Sequence, residues 1–594
     1  MAASGDVPDS LLQARRAFDE FGEVRIVQDW HRGLEGWLLQ IDLTPADLGT
    51  TFPIPATTPW YVLADPIYPD GKISILPAAE GGITETYWHQ IPNLPPSRGR
   101  PYRGGKLCVA TDSEGNLRNN REAEPRTVVD RLAWHVKRAC GWLEQASNGT
   151  LMNVGDWFEL PFYRGINPTR TFAFREGPES LEQWTGITVD AGFAEVLRLP
   201  TGIDVVTEFR TFDREVLARP AWGQAIAGRQ QAAAMWLRFP DVVVLPPHQA
   251  PWTWGDLRAV ADRQGFDLDA AMRRGTLPFH NRGTHLMLVG FPVLEKIGEP
   301  VCQMHWQALE LPVLEHRLPR GLPRTPDGWW QMSKSGTLAD QQPLNWRPSE
   351  NWHPDQLATR GRLAPDLTAQ RVLLIGAGAL GSPVSELLVR AGVTDIIPID
   401  GEALVAGNLV RHVLTMNDLE TGKAEALARR LNLVSPNVHS SAVNAAFPSD
   451  GADGYRNADL VIDTTGDREV LKAIEAFAWE GEPTIASLSI SMHAKRLFAF
   501  LAKGTGFTVA NFDEAYEPFG REEHDRDEDH PWEGVGCFHP VFPARADQVW
   551  LMASAAVGLL EDQWPPATGS SAFHVFERTE DDDGRFTGIR KIAP

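Results

Sequence analysis

The sequence predicts an α/β protein of several domains, and three stretches carry that prediction. Residues 371 to 400, RVLLIGAGALGSPVSELLVRAGVTDIIPID, run from an apolar strand into Gly376-x-Gly378-x-x-Gly381, through a helix, and into a second apolar strand that ends on Asp400. That is the pattern of a βαβ nucleotide-binding unit. Residues 1 to 165 order an amphipathic helix, the strand-like GWLLQIDL and WYVLADPIYP, a loop bearing Cys108, and the helical TVVDRLAWHVKRACGWLEQA, an α+β arrangement. A middle region, 166 to 345, mixes helical stretches (ARPAWGQAIAGRQQAAAMWLRF, WGDLRAVADRQG) with strands (DVVVLPP, THLMLVGFPVLE). HRLPRGLPRTPDGWW, rich in proline and glycine, reads as a linker into the last region, 346 to 594.

Each glycine of the loop has a physical task. Gly376 permits the tight turn, Gly378 lets backbone N–H groups approach a phosphate, and Gly381 lets the helix pack closely on the strand. Asp400 is positioned to bind ribose hydroxyls. The loop alone does not name its nucleotide, because an acidic residue follows the glycines in NAD enzymes as well. Downstream stand Asn408, Arg411, His412, Lys423 and, in LVIDTTGD, Asp463. Nicotinamide chemistry does not need such a set of cations and carboxylate, whereas attack on a triphosphate needs positive groups on its oxygens and a carboxylate for magnesium. The expected cofactors are ATP and Mg2+.

Composition narrows the function classes. A net charge of −22 opposes general affinity for nucleic acid or anionic membrane. The N-terminus lacks a signal-peptide pattern and no apolar run reaches the roughly 20 residues of a membrane span, so a cytoplasmic protein is expected. The four cysteines, Cys108, Cys140, Cys302 and Cys537, lie too far apart for a CxxC zinc site or a disulfide framework.

With the glycine loop, Asp400, Asn408-x-x-Arg411, Lys423 and Asp463 in this order, residues 350 to 594 resemble the E1-like adenylating enzymes of ThiF/MoeB type. The resemblance implies a Rossmann-like adenylation domain in which Asp400 binds ribose, Asn408, Arg411 and Lys423 contact phosphates, and Asp463 holds magnesium. It also implies a homodimer, in which Arg360 reaches the ATP of the partner subunit. Two departures stand out: His412 replaces the Gln common after the arginine, and the paired CxxC motifs of many bacterial members are absent, so no structural zinc is expected.

Two thiols are candidates for chemistry. Cys537, in GVGCFHPVFP, follows glycines and precedes a histidine and a helix, and GC-x-HP resembles the cysteine motif of E1-like members fused to E2-like domains. Cys108 follows a YP element and a proline-rich loop and precedes a helix with Trp134 and Trp142, which resembles the E2 ubiquitin-conjugating fold. The His-Pro-Asn triplet of eukaryotic E2 enzymes is missing, leaving His89 as a candidate assistant, and Arg103 and Lys106 are expected to lower the Cys108 pKa. Cys140 shares a helical face with Leu132 and Val136 and is expected to be buried, and Cys302 is expected to be structural.

An E2-like domain, a linker domain and an E1-like domain on one chain resemble the bacterial E2–E1 fusion transferases of CBASS and related antiphage operons. The resemblance implies adenylation of a partner's C-terminal carboxylate, the partner being a ubiquitin-like protein or a cyclic nucleotide-making (CD-NTase-like) enzyme. A thioester on Cys537, transthiolation to Cys108 and transfer to a target amine would follow. An alternative keeps only the adenylating step, as in ThiF/MoeB enzymes acting on a sulfur carrier or small molecule, with the N-terminal region a recognition module.

Overall fold

The computed structural model describes residues 6–109, 124–163, 170–227, 232–280, 283–315, 317–318, 321–449, 454–525, 532–533, 539–540 and 543–593. Two compact units are formed, one by residues 1–219 with 230–350 and the other by 220–229 with 351–594. Among the described residues no helix is long and apolar enough to cross a membrane.

The first unit opens with helix α1 (Asp9–Arg15) and an antiparallel sheet of β1 (Val24–Arg32), β2 (Trp37–Leu43), β3 (Thr58–Ala64) and β4 (Ile73–Pro77) in sequential order. Helix α2 (Val128–Asn148) covers it. Thr127 caps α2 by accepting the Asp130 N–H, and Gly149 ends it in a left-handed conformation at φ 73°. Its apolar stripe, Leu132, Val136, Ala139, Cys140 and Leu143, enters one core with Leu39, Trp60, Val62 and Ile75 of the sheet. Burial of Cys140 follows the expected helical spacing, and desolvation pushes its thiol up to about 12.

The rest of this unit is built on a second sheet. Strands β5 (Ala191–Arg198), β6 (Asp204–Arg210), β7 (Ala232–Arg238), β8 (His285–Leu294) and β9 (Val301–Leu311) lie in the order β9-β8-β7-β5-β6, with short strands at both edges. Helix α3 (Trp254–Gln264) forms where WGDLRAVADRQG predicts one, closed at its start by reciprocal Thr253 and Asp256 hydrogen bonds. Three expectations fail here. The alanine-rich AAAMWLR, expected to be helical, is strand β7, because Met235 pairs with Phe193 on one side and Met287 on the other, and two-sided pairing overrides local propensity. DVVVLPP is not a strand; Pro246 and Pro247 follow directly and cannot donate to a ladder. The Pro-rich linker holds helix α4 (Pro326–Ser335), which Thr325 caps and Pro326 begins.

In the second unit one sheet takes the order β11-β10-β12-β13-β14-β15-β16. Its strands are β10 (Arg371–Ile375), β11 (Asp395–Ile399), β12 (Leu460–Asp463), β13 (Thr484–Ile490), β14 (Arg496–Lys503), β15 (Ser571–Glu580) and β16 (Phe586–Ala593). The first four in that order are parallel and the last three antiparallel. Helices α5 (Gly381–Arg390), α6 (Lys423–Val434), α7 (Arg468–Ala476) and α8 (Ala546–Asp562) accompany it. Glu386 of α5 is 2% exposed and is held by Arg390 and Arg430, the latter on α6. The chain order passes from β10 outward to β11 and then back across to β12, so a topological switch point lies at the C-terminal ends of β10 and β12.

Candidate functional site

The parallel register fixes what meets at that point. Ile375 pairs with Ile399 and with Asp463, so Gly376, Asp400 and Thr464 each stand one residue beyond their strands, side by side. Gly376 turns at φ 92°, outside the range of ordinary side chains, and Thr464 Oγ1 donates to its carbonyl at 2.7 Å. A Cβ on Gly381 would lie 2.0 Å from the Gly376 carbonyl oxygen, whereas one on Gly378 would meet nothing within 4 Å, leaving that side of the loop open. These glycines rim a cleft of about 730 Å3, within the range of small-molecule sites.

The same cleft is lined by Asp400, Asn408, Arg411, His412 and Lys423. Asp400 accepts the Ala377 and Glu402 N–H groups, each at 2.8 Å, so one carboxylate braces both the glycine loop and its own loop. Lys423, the first residue of α6, is only 6% exposed and its ammonium is paired with the exposed Glu402. His412 joins two loops: its Nδ1 accepts the Leu414 N–H at 3.1 Å, so its Nε2 donates to the Ala377 carbonyl at 2.6 Å. Burial, reinforced by Lys423 against that hydrogen bond, holds this imidazole below the usual range and keeps it neutral. The residue that departs from the common Gln is therefore a strut under the glycine loop.

Asp463 is not where its expected role requires. It is fully buried, accepts the Thr465 N–H, the Thr465 Oγ1–H and the Ser487 Oγ–H at 3.0, 2.7 and 2.9 Å, and does not line the cleft. The acidic group on the cleft wall is Asp467, an exposed residue that caps α7 by accepting the Glu469 N–H. Sequence reasoning passed over it, although an aspartate just past an apolar strand and before a helix is a readable signal. A donor set of two cations, a partly buried imidazole, an amide and an exposed carboxylate around an open glycine loop fits a magnesium-bound triphosphate. Arg360 is exposed in a short 3-10 turn and is not among the residues lining this cleft.

A second cleft, of about 830 Å3, lies in the first unit and contains Cys108, His89, Trp134, Lys137 and Trp157. The Cys108 N–H donates to the His89 carbonyl at 2.8 Å, which fixes the two segments side by side. The thiol is partly exposed but not activated as expected. Burial and the Glu159 carboxylate raise its pKa against a lowering by Lys106, and Arg103 is occupied with Asn93, donating to its side-chain and backbone oxygens at 3.1 and 2.9 Å. Cys302 is half-buried and donates to the Val293 carbonyl. Cys537 lies outside the described residues.

The Cap2 central linker domain family matches residues 149–352, and the ThiF family matches residues 356–531. The ATP-dependent ubiquitin transferase-like protein Cap2 of Enterobacter hormaechei subsp. hoffmannii is 34% identical over 495 residues, covering 81% of this chain and 82% of its own length. The sulfur carrier protein ThiS adenylyltransferase of Escherichia coli is 29% identical over 124 residues, 20% of this chain and 49% of that protein. Among solved structures, E. coli MccB with succinimide aligns at 16% identity and a TM-score of 0.26, over 38% of this chain and 64% of its own. The chain is an enzyme and belongs to the Cap2 family of ATP-dependent ubiquitin transferase-like proteins.

Proposed function

We propose that the chain adenylates the C-terminal carboxylate of a partner protein with ATP, captures the acyl group on Cys537, passes it to Cys108 and transfers it to an amine. The observation that carries this reading is the convergence of the glycine loop, Asp400, Asn408, Arg411, Lys423 and Asp467 on one cleft at the switch point. The carboxylate oxygen attacks the α-phosphorus and pyrophosphate leaves. Lys423 and Arg411 offset the charge that gathers on the phosphate oxygens, and Lys423 exchanges Glu402 for phosphate to do so. Asp467, rather than Asp463, is the residue we assign to magnesium, which supplies further neutralisation of the triphosphate when bound. His412 keeps the loop in shape, and Asp400 both braces it and meets the ribose.

The two thiols carry the later steps. The Cys537 thiolate attacks the acyl-adenylate carbonyl and AMP leaves, the Cys108 thiolate then displaces Cys537 by exchange of one thioester for another, and an amine finally displaces the Cys108 thiolate. The partner is taken to be a ubiquitin-like protein or a cyclic nucleotide-making enzyme, the setting antiphage defence in the cytoplasm, and the assembly a homodimer in which the exposed Arg360 serves the other subunit. The raised Cys108 thiol favours the alternative in one respect, since a thiol held protonated is a poor nucleophile; in that reading the first unit only recognises a sulfur carrier or small molecule.

One experiment separates the two. Cys108→Ala and Cys537→Ala chains are each co-purified with the products of neighbouring genes, given ATP and magnesium, and analysed by mass spectrometry for reducible adducts. An adduct on Cys537 in the Cys108→Ala chain, with final conjugate lost, supports the relay. Conjugate formed at the parental rate without Cys108 leaves only the adenylating step.

A further inference from the structure

The sequence around Cys108 lacks the triplet of eukaryotic E2 enzymes, yet the cleft that holds the thiol also holds a histidine, and a carboxylate stands against that histidine. His89 lines the cleft with Cys108 and its side chain is 36% exposed. Its Nδ1 lies 3.4 Å from Oε2 of Glu159, and its backbone N–H donates to the same oxygen at 3.3 Å. The His89 backbone sits at φ 55°, a left-handed conformation uncommon for a residue with a side chain. Two further contacts hold that conformation in place. The Cys108 N–H bonds the His89 carbonyl, and the neighbouring Trp88 stacks on His248 at 3.4 Å between ring centroids. His248 is buried, and its backbone N–H donates to the Thr86 carbonyl at 3.0 Å. Glu159 and His248 both fall in the segment matched to the linker family, as do Leu151, Asn153, Asp156 and Trp157, which line the thiol's cleft, so that segment supplies part of its wall.

We infer that His89 is the general base for the final amine transfer, and that Glu159, contributed by the linker segment, is its positioning residue. The inference rests on the reading of Cys108 as the conjugating thiol. The amine nitrogen attacks the thioester carbonyl carbon, and its proton passes to His89 Nε2. As the N–C bond forms, the C–S bond breaks and its electron pair leaves on Cys108 Sγ, which then takes the proton back from the imidazolium. Glu159, against Nδ1, stabilises the imidazolium while it exists and fixes which nitrogen faces the amine.

The test loads the full chain with a chemical probe, the N-acetylglycyl thioester of 2-mercaptoethanesulfonate, and follows the Cys108 peptide by mass spectrometry. Discharge is measured with free lysine and with hydroxylamine, a reactive nucleophile that is already neutral at pH 7 and can lose its proton to water, so it depends little on a catalytic base. His89→Asn is the principal variant because asparagine accepts a left-handed backbone, and a melting temperature equal to the parent's checks its fold. The expected result is a fall of about 100-fold in lysine discharge with hydroxylamine discharge kept within about twofold, the range of general base catalysis. Glu159→Gln should fall about tenfold by the same split, and added imidazole should restore lysine discharge to a His89→Gly chain. Parental lysine discharge no faster than from the denatured chain would overturn the reading of Cys108 and this inference with it. Fast parental discharge that His89→Asn leaves unchanged, or that falls equally for both nucleophiles, would overturn this inference alone.

Discussion

Two clefts of similar size, about 730 Å3 around the glycine loop and about 830 Å3 around Cys108, are built in opposite ways. The glycine-loop cleft sits at the ends of parallel strands whose register aligns Gly376, Asp400 and Thr464, so backbone geometry delivers its polar groups. Among the described residues around Cys108 there is no such rim of strand ends. The thiol, His89 and Glu159 come from separate irregular segments held by a few hydrogen bonds and a stacked Trp88–His248 pair. A site set by sheet register tolerates changes in neighbouring side chains but no side chain at Gly376 or Gly381. A site assembled from loops depends on each brace.

The electrostatics divide in the same way. In the glycine-loop unit Glu386 is buried, but hydrogen bonds and charge from Arg430 and Arg390 outweigh desolvation and hold it below the usual carboxylate range. In the other unit Glu176 is buried with neutral donors, the indole N–H groups of Trp184 and Trp306 and the hydroxyl of Ser180, and desolvation pushes it up to about 7. One glutamate is kept charged and the other kept protonated. Their pH signatures must have opposite signs.

The largest expected effect tests the reliance of the first cleft on its buried cation. Lys423→Ala should slow ATP-dependent pyrophosphate release by about 100- to 1,000-fold; a loss below about tenfold would mean that Arg411 and the metal suffice. Next comes Glu176→Gln. Because the native carboxyl holds its proton up to about 7 while the unfolded chain loses it near 4.5, stability of that unit should fall as pH rises between these values and level off above them. The amide mimics the protonated acid, so at pH 8 Glu176→Gln should stabilise by up to about 3 kcal/mol, at about 1.36 kcal/mol per pKa unit, and flatten the profile in denaturant titrations at several pH values. A parental profile already flat across that window would sink the assignment. Glu386, by contrast, contributes stability that is present above the usual carboxylate range and lost as pH drops through its lower native value.

Gly381→Ala should cost about 2 kcal/mol, since the new Cβ would lie 2.0 Å from a backbone oxygen that cannot rotate away. Hydrogen exchange should then quicken about 30-fold over residues 371–400, with residues 24–77 unchanged. The smallest effect separates two carboxylates four positions apart. Asp467→Asn should raise the magnesium concentration needed for half-maximal pyrophosphate release about tenfold, roughly 1.4 kcal/mol. Asp463→Asn should leave that concentration alone and act on stability, through the Thr465 and Ser487 contacts. The reverse pattern would return the metal to Asp463.

Legibility in the sequence follows the same division. The βαβ unit could be read because its strands, glycines and Asp400 are contiguous and each type is dictated by local backbone geometry. Cys140 could be read because three helical repeats on one face report burial. The direction Asp463 faces could not be read because its position after an apolar run identifies the strand end but not which side its chain turns; the next acidic residue, Asp467, lines the cleft beyond the turn at Thr464, Thr465 and Gly466. The helix expected across AAAMWLR was misread because alanine's preference is weak beside pairing with two neighbouring strands.

The sequence by itself determined the glycine loop, the cluster of Asn408, Arg411 and Lys423 that meets it at one cleft, and the family to which these point. Each is local, and local backbone requirements leave a residue-by-residue trace. Only tertiary structure decided that Asp467 and not Asp463 faces the cleft, that burial and Glu159 outweigh Lys106 at the Cys108 thiol, and that Glu159 meets His89. Those outcomes depend on which chain segments exclude water from one another and on distances between residues 70 positions apart for His89 and Glu159, and no spacing within the sequence encodes them.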